Sequence, residues 1–177
     1  MQNASVATAV FVLATAAAFA QTTAAKPVSS ADQTFILNTS KAGMAEVEFG
    51  KVAAQNASSD AVKKFGQKMA DDHSKANDEL KALAASKNVV LPSELDAQDK
   101  EHRDKMMALK GNAFDREYMT MMVAGHRKVA DSFRTEATSG QDADLKAWVT
   151  KTLPTIEEHL KLAQDTNRAV GTSGVKK

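Results

Sequence analysis

Three of the four histidines in this chain stand in one tripeptide, His-x-Lys: His73-Ser74-Lys75, His126-Arg127-Lys128 and His159-Leu160-Lys161. Imidazole titrates near neutral pH and is the commonest metal-binding side chain, so a recurring histidine is a lead to proton transfer or metal chemistry. Each one continues an apolar series with steps of three and four, the period of a helix with one buried face. His73 follows Val62, Phe65 and Met69 and precedes Ala76, Leu80 and Leu83. His126 lies in the series Phe114, Tyr118, Met122, Val129, Phe133, and His159 in the series Leu145, Val149, Thr152, Ile156, Ala163. The histidines are therefore expected to face inward. The lysines two residues on point elsewhere and need no chemical task.

The repeat is wider than the tripeptide. Residues 69–81 and 122–134 share Met, His, Lys and Asp in register, followed by an apolar residue and a cation. Glu157-Glu158-His159-Leu160-Lys161 matches Asp71-Asp72-His73-Ser74-Lys75 in character. A first helix carries the series Phe35, Thr39, Ala42, Glu46, Phe49 and Ala53, in which Glu46 takes the position that histidine holds elsewhere. One ligand-type residue per helix follows: Glu46, His73, His126 and His159. Three imidazoles and a carboxylate suit Zn, Cu, Fe or Mn in a mononuclear site. Met69 and Met122, one turn before their histidines, are auxiliary candidates whose soft sulfur favours copper. The alternative is a structural or stress-related envelope protein whose histidines are buried polar residues that set helix register. A haem between Met or His ligands is a lesser alternative.

No Ser–His–acid spacing, phosphate-binding glycine loop or catalytic carboxylate pair stands out, so the reading is non-catalytic. His102 is expected outside the constellation, in a charged connector. Tyr118 is expected at a bundle edge and Trp148 in a packing or partner-facing position.

The elements that must position these residues are four helices, over residues 32–56, 60–86, 113–138 and 142–170. Ser59 or Asp60 is expected to cap the second, and Ser139-Gly140 to end the third. Between the hairpins, residues 87–112 read as a crossover about 25 residues long. It holds Pro92, a candidate cap at Ser93, and a short helix bearing Leu95, His102, Met106 and Leu109, with Gly111 as its stop. Pro154 is expected to kink or divide the last helix, because proline removes a backbone donor. The organisation is thus a tether over residues 21–31, a single all-α domain over 32–170 and a disordered tail over 171–177.

Residues 1–20 carry no charged side chain, and residues 10–20 form an apolar run ending in Ala18-Phe19-Ala20. That pattern is a signal peptide cleaved near Ala20, with export to the periplasm or beyond. The run is shorter than the roughly 20 residues of a membrane span, so none is expected in the mature chain. Cysteine is absent, which excludes disulfides, thiolate metal sites and c-type haem attachment. The net charge of +1 is spread without a basic face, which argues against nucleic acid as a partner. An envelope protein partner is not readable from these residues.

At four stretches the chain resembles a bacterial exported family known as domain of unknown function 4142 (DUF4142). They are Gly43-Met44-Ala45-Glu46-Val47-Glu48, residues 69–73, Phe114-Asp115-Arg116-Glu117-Tyr118 and Leu153-Pro154-Thr155-Ile156-Glu157-Glu158-His159. The resemblance implies a ferritin-like antiparallel four-helix bundle with one long crossover and an envelope location. It suggests metal without assigning an activity. A di-iron site of the ferritin kind needs Glu-x-x-His on two helices. Here the residues three before the histidines are Ala70, Asp99, Val123 and Ile156, so no ferroxidase centre is expected.

If residues 1–20 are removed on export, the protein recovered from the cell envelope begins at Gln21. N-terminal sequencing or intact mass checks this, and a chain that retains residues 1–20 contradicts it.

Overall fold

The computed structural model describes residues 28–173; the expected signal segment, the tether up to residue 27 and residues 174–177 lie outside the described residues. The chain forms α1 (Ser30–Asn56), α2 (Asp60–Ser86), α3 (Ala97–Ala108), α4 (Gly111–Ser139) and α5 (Ala143–Ser173). Among the described residues there is no strand, and no helix is long and apolar enough to cross a membrane. α1 packs along α2 and α4 along α5, while α2 meets α5, α1 meets α4, and α3 lies against α1.

Local chemistry sets the ends of these helices. Ser29 caps α1 by accepting from Asp32 N at 3.1 Å, so Ser30 and Ala31 belong to the helix and not to the tether. Ser59 is the N-cap residue of α2, but its side chain makes no capping bond. α3 is capped by Asp96, which accepts from Asp99 N at 3.0 Å, and not by Ser93. Gly111 does not stop α3, which ends at Ala108; it opens α4 at φ +59°, a conformation that costs glycine little. α5 runs through Pro154 undivided and on to Ser173, past the expected end at residue 170. Both flanks of the proline are anchored in the core, by Leu145 and Val149 before it and Ile156, His159 and Ala163 after it. That burial offsets the roughly 3 kcal/mol a mid-helix proline costs.

Two apolar clusters divide the interior. One joins the second half of α1 (Phe49, Ala53) to the first halves of α2 (Val62, Phe65, Met69) and α4 (Phe114, Tyr118, Met122) and the end of α5 (Ala163, Val170). The other joins the first half of α1 (Phe35, Ile36) to the second halves of α2 (Leu80, Ala84) and α4 (Ala130, Phe133) and the first part of α5. On α2, α4 and α5 the gap between the clusters falls at His73, His126 and His159. α1 keeps Phe35, Phe49 and Ala53 of the expected series in the core but is turned between them. Ile36, Ser40, Gly43 and Gly50 are buried, whereas Thr39, Ala42 and Glu46 are half-buried along a cleft wall. Close contact with α2 accounts for the turn. A Cβ on Gly50 would lie 2.6 Å from the Gly66 carbonyl, and one on Gly66 would lie 2.8 Å from the Gly50 carbonyl.

Each hairpin also caps the turn of the other. Asp115, in the first turns of α4, accepts from Ser58 N (2.9 Å), Ser58 Oγ (2.5 Å) and Ser59 N (2.9 Å) in the α1–α2 turn. Asp32, in the first turn of α1, accepts from Gln141 N (3.1 Å) and Asp142 N (2.9 Å) in the α4–α5 turn. Both carboxylates are 1% exposed, so these donors take the place of water.

Asp115→Ala and Asp32→Ala are each expected to cost about 2–4 kcal/mol, because buried amides lose a charged acceptor. Urea unfolding should show this, with the exposed Asp71→Ala shifting stability by less than about 0.5 kcal/mol as the control. Equal stabilities for all three would contradict the reciprocal caps.

Candidate metal centre

His73, His126 and His159 meet in the layer between the two apolar clusters. They come from α2, α4 and α5 and are 8%, 2% and 1% exposed. Their ring centroids are 5.7 Å (His73–His126), 5.3 Å (His73–His159) and 5.5 Å (His126–His159) apart. One nitrogen from each ring lies within 4.8 Å of the others.

Hydrogen bonds account for one nitrogen on two of the rings. His126 Nδ1 lies 3.0 Å from the Met122 carbonyl, an acceptor that requires Nδ1 to carry the proton. His159 Nε2 lies 2.8 Å from Asp72 Oδ2, and donation to that carboxylate leaves Nδ1 as the bare nitrogen. On these three rings the buried nitrogens without a partner are His73 Nε2, His126 Nε2 and His159 Nδ1. Three lone-pair donors, two of them with tautomers set by an outer hydrogen bond, are the arrangement in which histidines hold a transition-metal ion. Zn–N bonds of about 2.0–2.1 Å place tetrahedral imidazole nitrogens about 3.4 Å apart, so inward shifts of about 1 Å would close the set.

Asp72 is the sequence neighbour of His73 but serves His159. Successive helical side chains diverge by about 100°, which turns Asp72 from the interior face of α2 toward α5. Lys68 bridges Asp72 (2.9 Å) and Glu158 (3.4 Å) there. Burial raises the Asp72 carboxyl, but the hydrogen bonds from His159 and Lys68 outweigh it and hold the group below its ordinary range.

Glu46 stands apart from the three-nitrogen group. Its Oε1 is 3.8 Å from His126 Nδ1, the nitrogen directed at Met122, and its Oε2 is buried without a partner. Burial, helped by the Asp99 charge, pushes its carboxyl up to about 8. Met69 and Met122 are fully buried in the adjoining apolar cluster, and Met122 serves His126 through its backbone carbonyl. Tyr118 is not at an edge: it is 0% exposed between Phe65 and Phe114, with its hydroxyl unpartnered. Trp148 packs on Phe133 at 5.7 Å. His102 lies outside the group as expected, but half-buried and edge-on to Phe49 at 5.7 Å.

The family description Domain of unknown function (DUF4142) matches residues 17–166. The chain belongs to this family. No curated protein and no solved structure matches it. Within this DUF4142 chain, three of the stretches noted above carry Glu46, Asp72 with His73, and His159; His126 lies outside them, and Asp115 of the fourth supplies a turn cap.

Burial pushes His73 down to about 3 and His126 down to about 4, reinforced by the neighbouring imidazoles. Unfolded histidine, near 6.5, binds protons that these folded residues refuse. The metal-free protein should therefore lose stability as pH falls below about 6.5. Glu46 acts with the opposite sign. Its folded value of about 8 exceeds the unfolded 4.5, so stability declines as pH rises through that window. Melting temperatures of the metal-free protein should peak near pH 6–7. Glu46→Gln should flatten the alkaline side, and His73→Gln with His126→Gln the acid side between about pH 4.5 and 6.5. Unchanged limbs would contradict these assignments.

Proposed function

We propose that this DUF4142 protein is an exported, ferritin-like antiparallel four-helix bundle that binds a single transition-metal ion through His73 Nε2, His126 Nε2 and His159 Nδ1, in a non-catalytic role. The observation that carries the reading is three buried rings that each bring one nitrogen within 4.8 Å of the others and each keep a buried nitrogen without a hydrogen-bond partner. An unsatisfied buried polar atom costs about 1–3 kcal/mol, and a bound cation would use all three at once. The same observation counts against histidines that serve only to fix register, since such groups would be satisfied by their neighbours. Three neutral nitrogens suit Zn, Cu, Fe or Mn, with Asp72 and the Met122 carbonyl orienting the outer sides of two rings. The bundle reading is supported by the shared clusters, which make α2 and α4 run the same way across a long connection. Export is supported by the charge-free apolar segment before residue 21.

Calorimetric titration of the purified mature chain with Zn, Cu, Fe and Mn ions is expected to show one equivalent bound. His73→Ala/His126→Ala/His159→Ala should abolish binding, and Asp72→Asn should weaken it by about 10–100-fold. Binding that survives the triple substitution, or no binding by the intact chain, overturns the reading.

A further inference from the structure

The two sides of the histidine layer differ. On the α2–α5 side His159 is 1% exposed and hydrogen-bonded to Asp72, which pairs with Lys68, and Lys68 in turn with Glu158. On the α1–α4 side a cleft of about 530 Å³ reaches His73 and His126 but not His159. Its walls include Phe49, Met121, Phe133 and Trp148, with Glu46 beside the histidines, Lys128 exposed on the α4 wall, and Asp99 and His102 on the α3 side. The volume is far larger than the roughly 30 Å³ share of one water and falls in the range of small-molecule sites.

Three imidazoles add no charge, so a divalent ion held by them keeps its full positive charge within the core. Asp72 is engaged on the outer nitrogen of His159, and Glu46 stands on the Nδ1 side of His126. Neither carboxylate occupies the inner face of the nitrogen triangle. A fourth donor can then arrive through the cleft, and both the charge of the ion and the apolar walls restrict what it can be.

We propose that the α1–α4 cleft admits a small organic carboxylate, whose anionic head completes the coordination of the metal while its apolar body lies against Phe49, Met121, Phe133 and Trp148. This rests on the three-histidine metal reading above. It adds the route and the ligand class. Gly125 lines the cleft opposite Glu46, and a Cβ there would meet only Glu46 Oε1, at 3.8 Å. A larger side chain at residue 125 would thus fill the passage without striking backbone.

The test loads the full mature chain with Co²⁺, whose visible bands report coordination, and titrates acetate and hexanoate as probes. Saturable band shifts are expected, with hexanoate tighter by up to about fourfold for each methylene it buries. Gly125→Leu is expected to keep the Co²⁺ bands but weaken hexanoate by about tenfold or more, about 1.4 kcal/mol. Ala124→Leu, on the exposed neighbouring position, should change neither. If Gly125→Leu fails to fold, Thr39→Phe on the opposite wall serves the same purpose. Absence of any Co²⁺ spectrum overturns the metal reading and this proposal with it. A normal Co²⁺ spectrum that carboxylates leave unchanged overturns this proposal alone. Hexanoate no tighter than acetate, or undiminished in Gly125→Leu, also overturns it.

Discussion

Placing three imidazoles side by side in a helical interior, each with a bare nitrogen, is the constraint that the rest of this structure accommodates. Each bare nitrogen gives up hydrogen bonds to water, a loss of about 1–3 kcal/mol if nothing replaces them. The layer persists because the helices are held from both ends. Aromatic and aliphatic side chains fill one cluster around Phe65, Tyr118 and Phe114 and another around Ile36, Phe133 and Leu145. The histidines sit where neither cluster reaches, so that position on each helix could be polar without breaking a continuous apolar seam.

The same constraint explains the ties between the hairpins. Three rings from α2, α4 and α5 stay in register only if the α1–α2 pair and the α4–α5 pair cannot slide. Asp32 and Asp115 resist that sliding, each reaching from the start of one hairpin to the turn of the other. The Gly50–Gly66 contact locks α1 to α2 at short range. α1 and α4 have no comparable close approach, and the cleft opens along that seam.

Much of this was legible in residue spacing. The apolar steps on α2, α4 and α5 carry their own helical phase, so the inward direction of His73, His126 and His159 followed from Val62, Phe114, Leu145 and their successors. α1 was less legible: its Thr39–Ala42–Glu46 series has the right period but borders a cleft, because the glycine contacts turn the helix about its axis. Glu46 was accordingly placed near the histidines, yet not within their nitrogen triangle. Asp72 as a partner of His159, and Asp32 and Asp115 as turn caps, have no local signal, since each bonds to a segment 56 to 110 residues away. A single tyrosine on an apolar stripe suits an edge as well as a core, and only the packing puts Tyr118 in the core.

What the sequence by itself determined is the helical content, the inward face of three helices and the recurrence of histidine on that face. These are properties of a chain whose side chains repeat every 3.6 residues. Only the tertiary structure decided that three rings converge while the carboxylate of α1 stands aside, which nitrogen of His126 and His159 is left bare, and that one side of the layer is shut and the other open. Those outcomes depend on the rotation and height of one helix against another, and these are set by contacts between residues far apart in the chain.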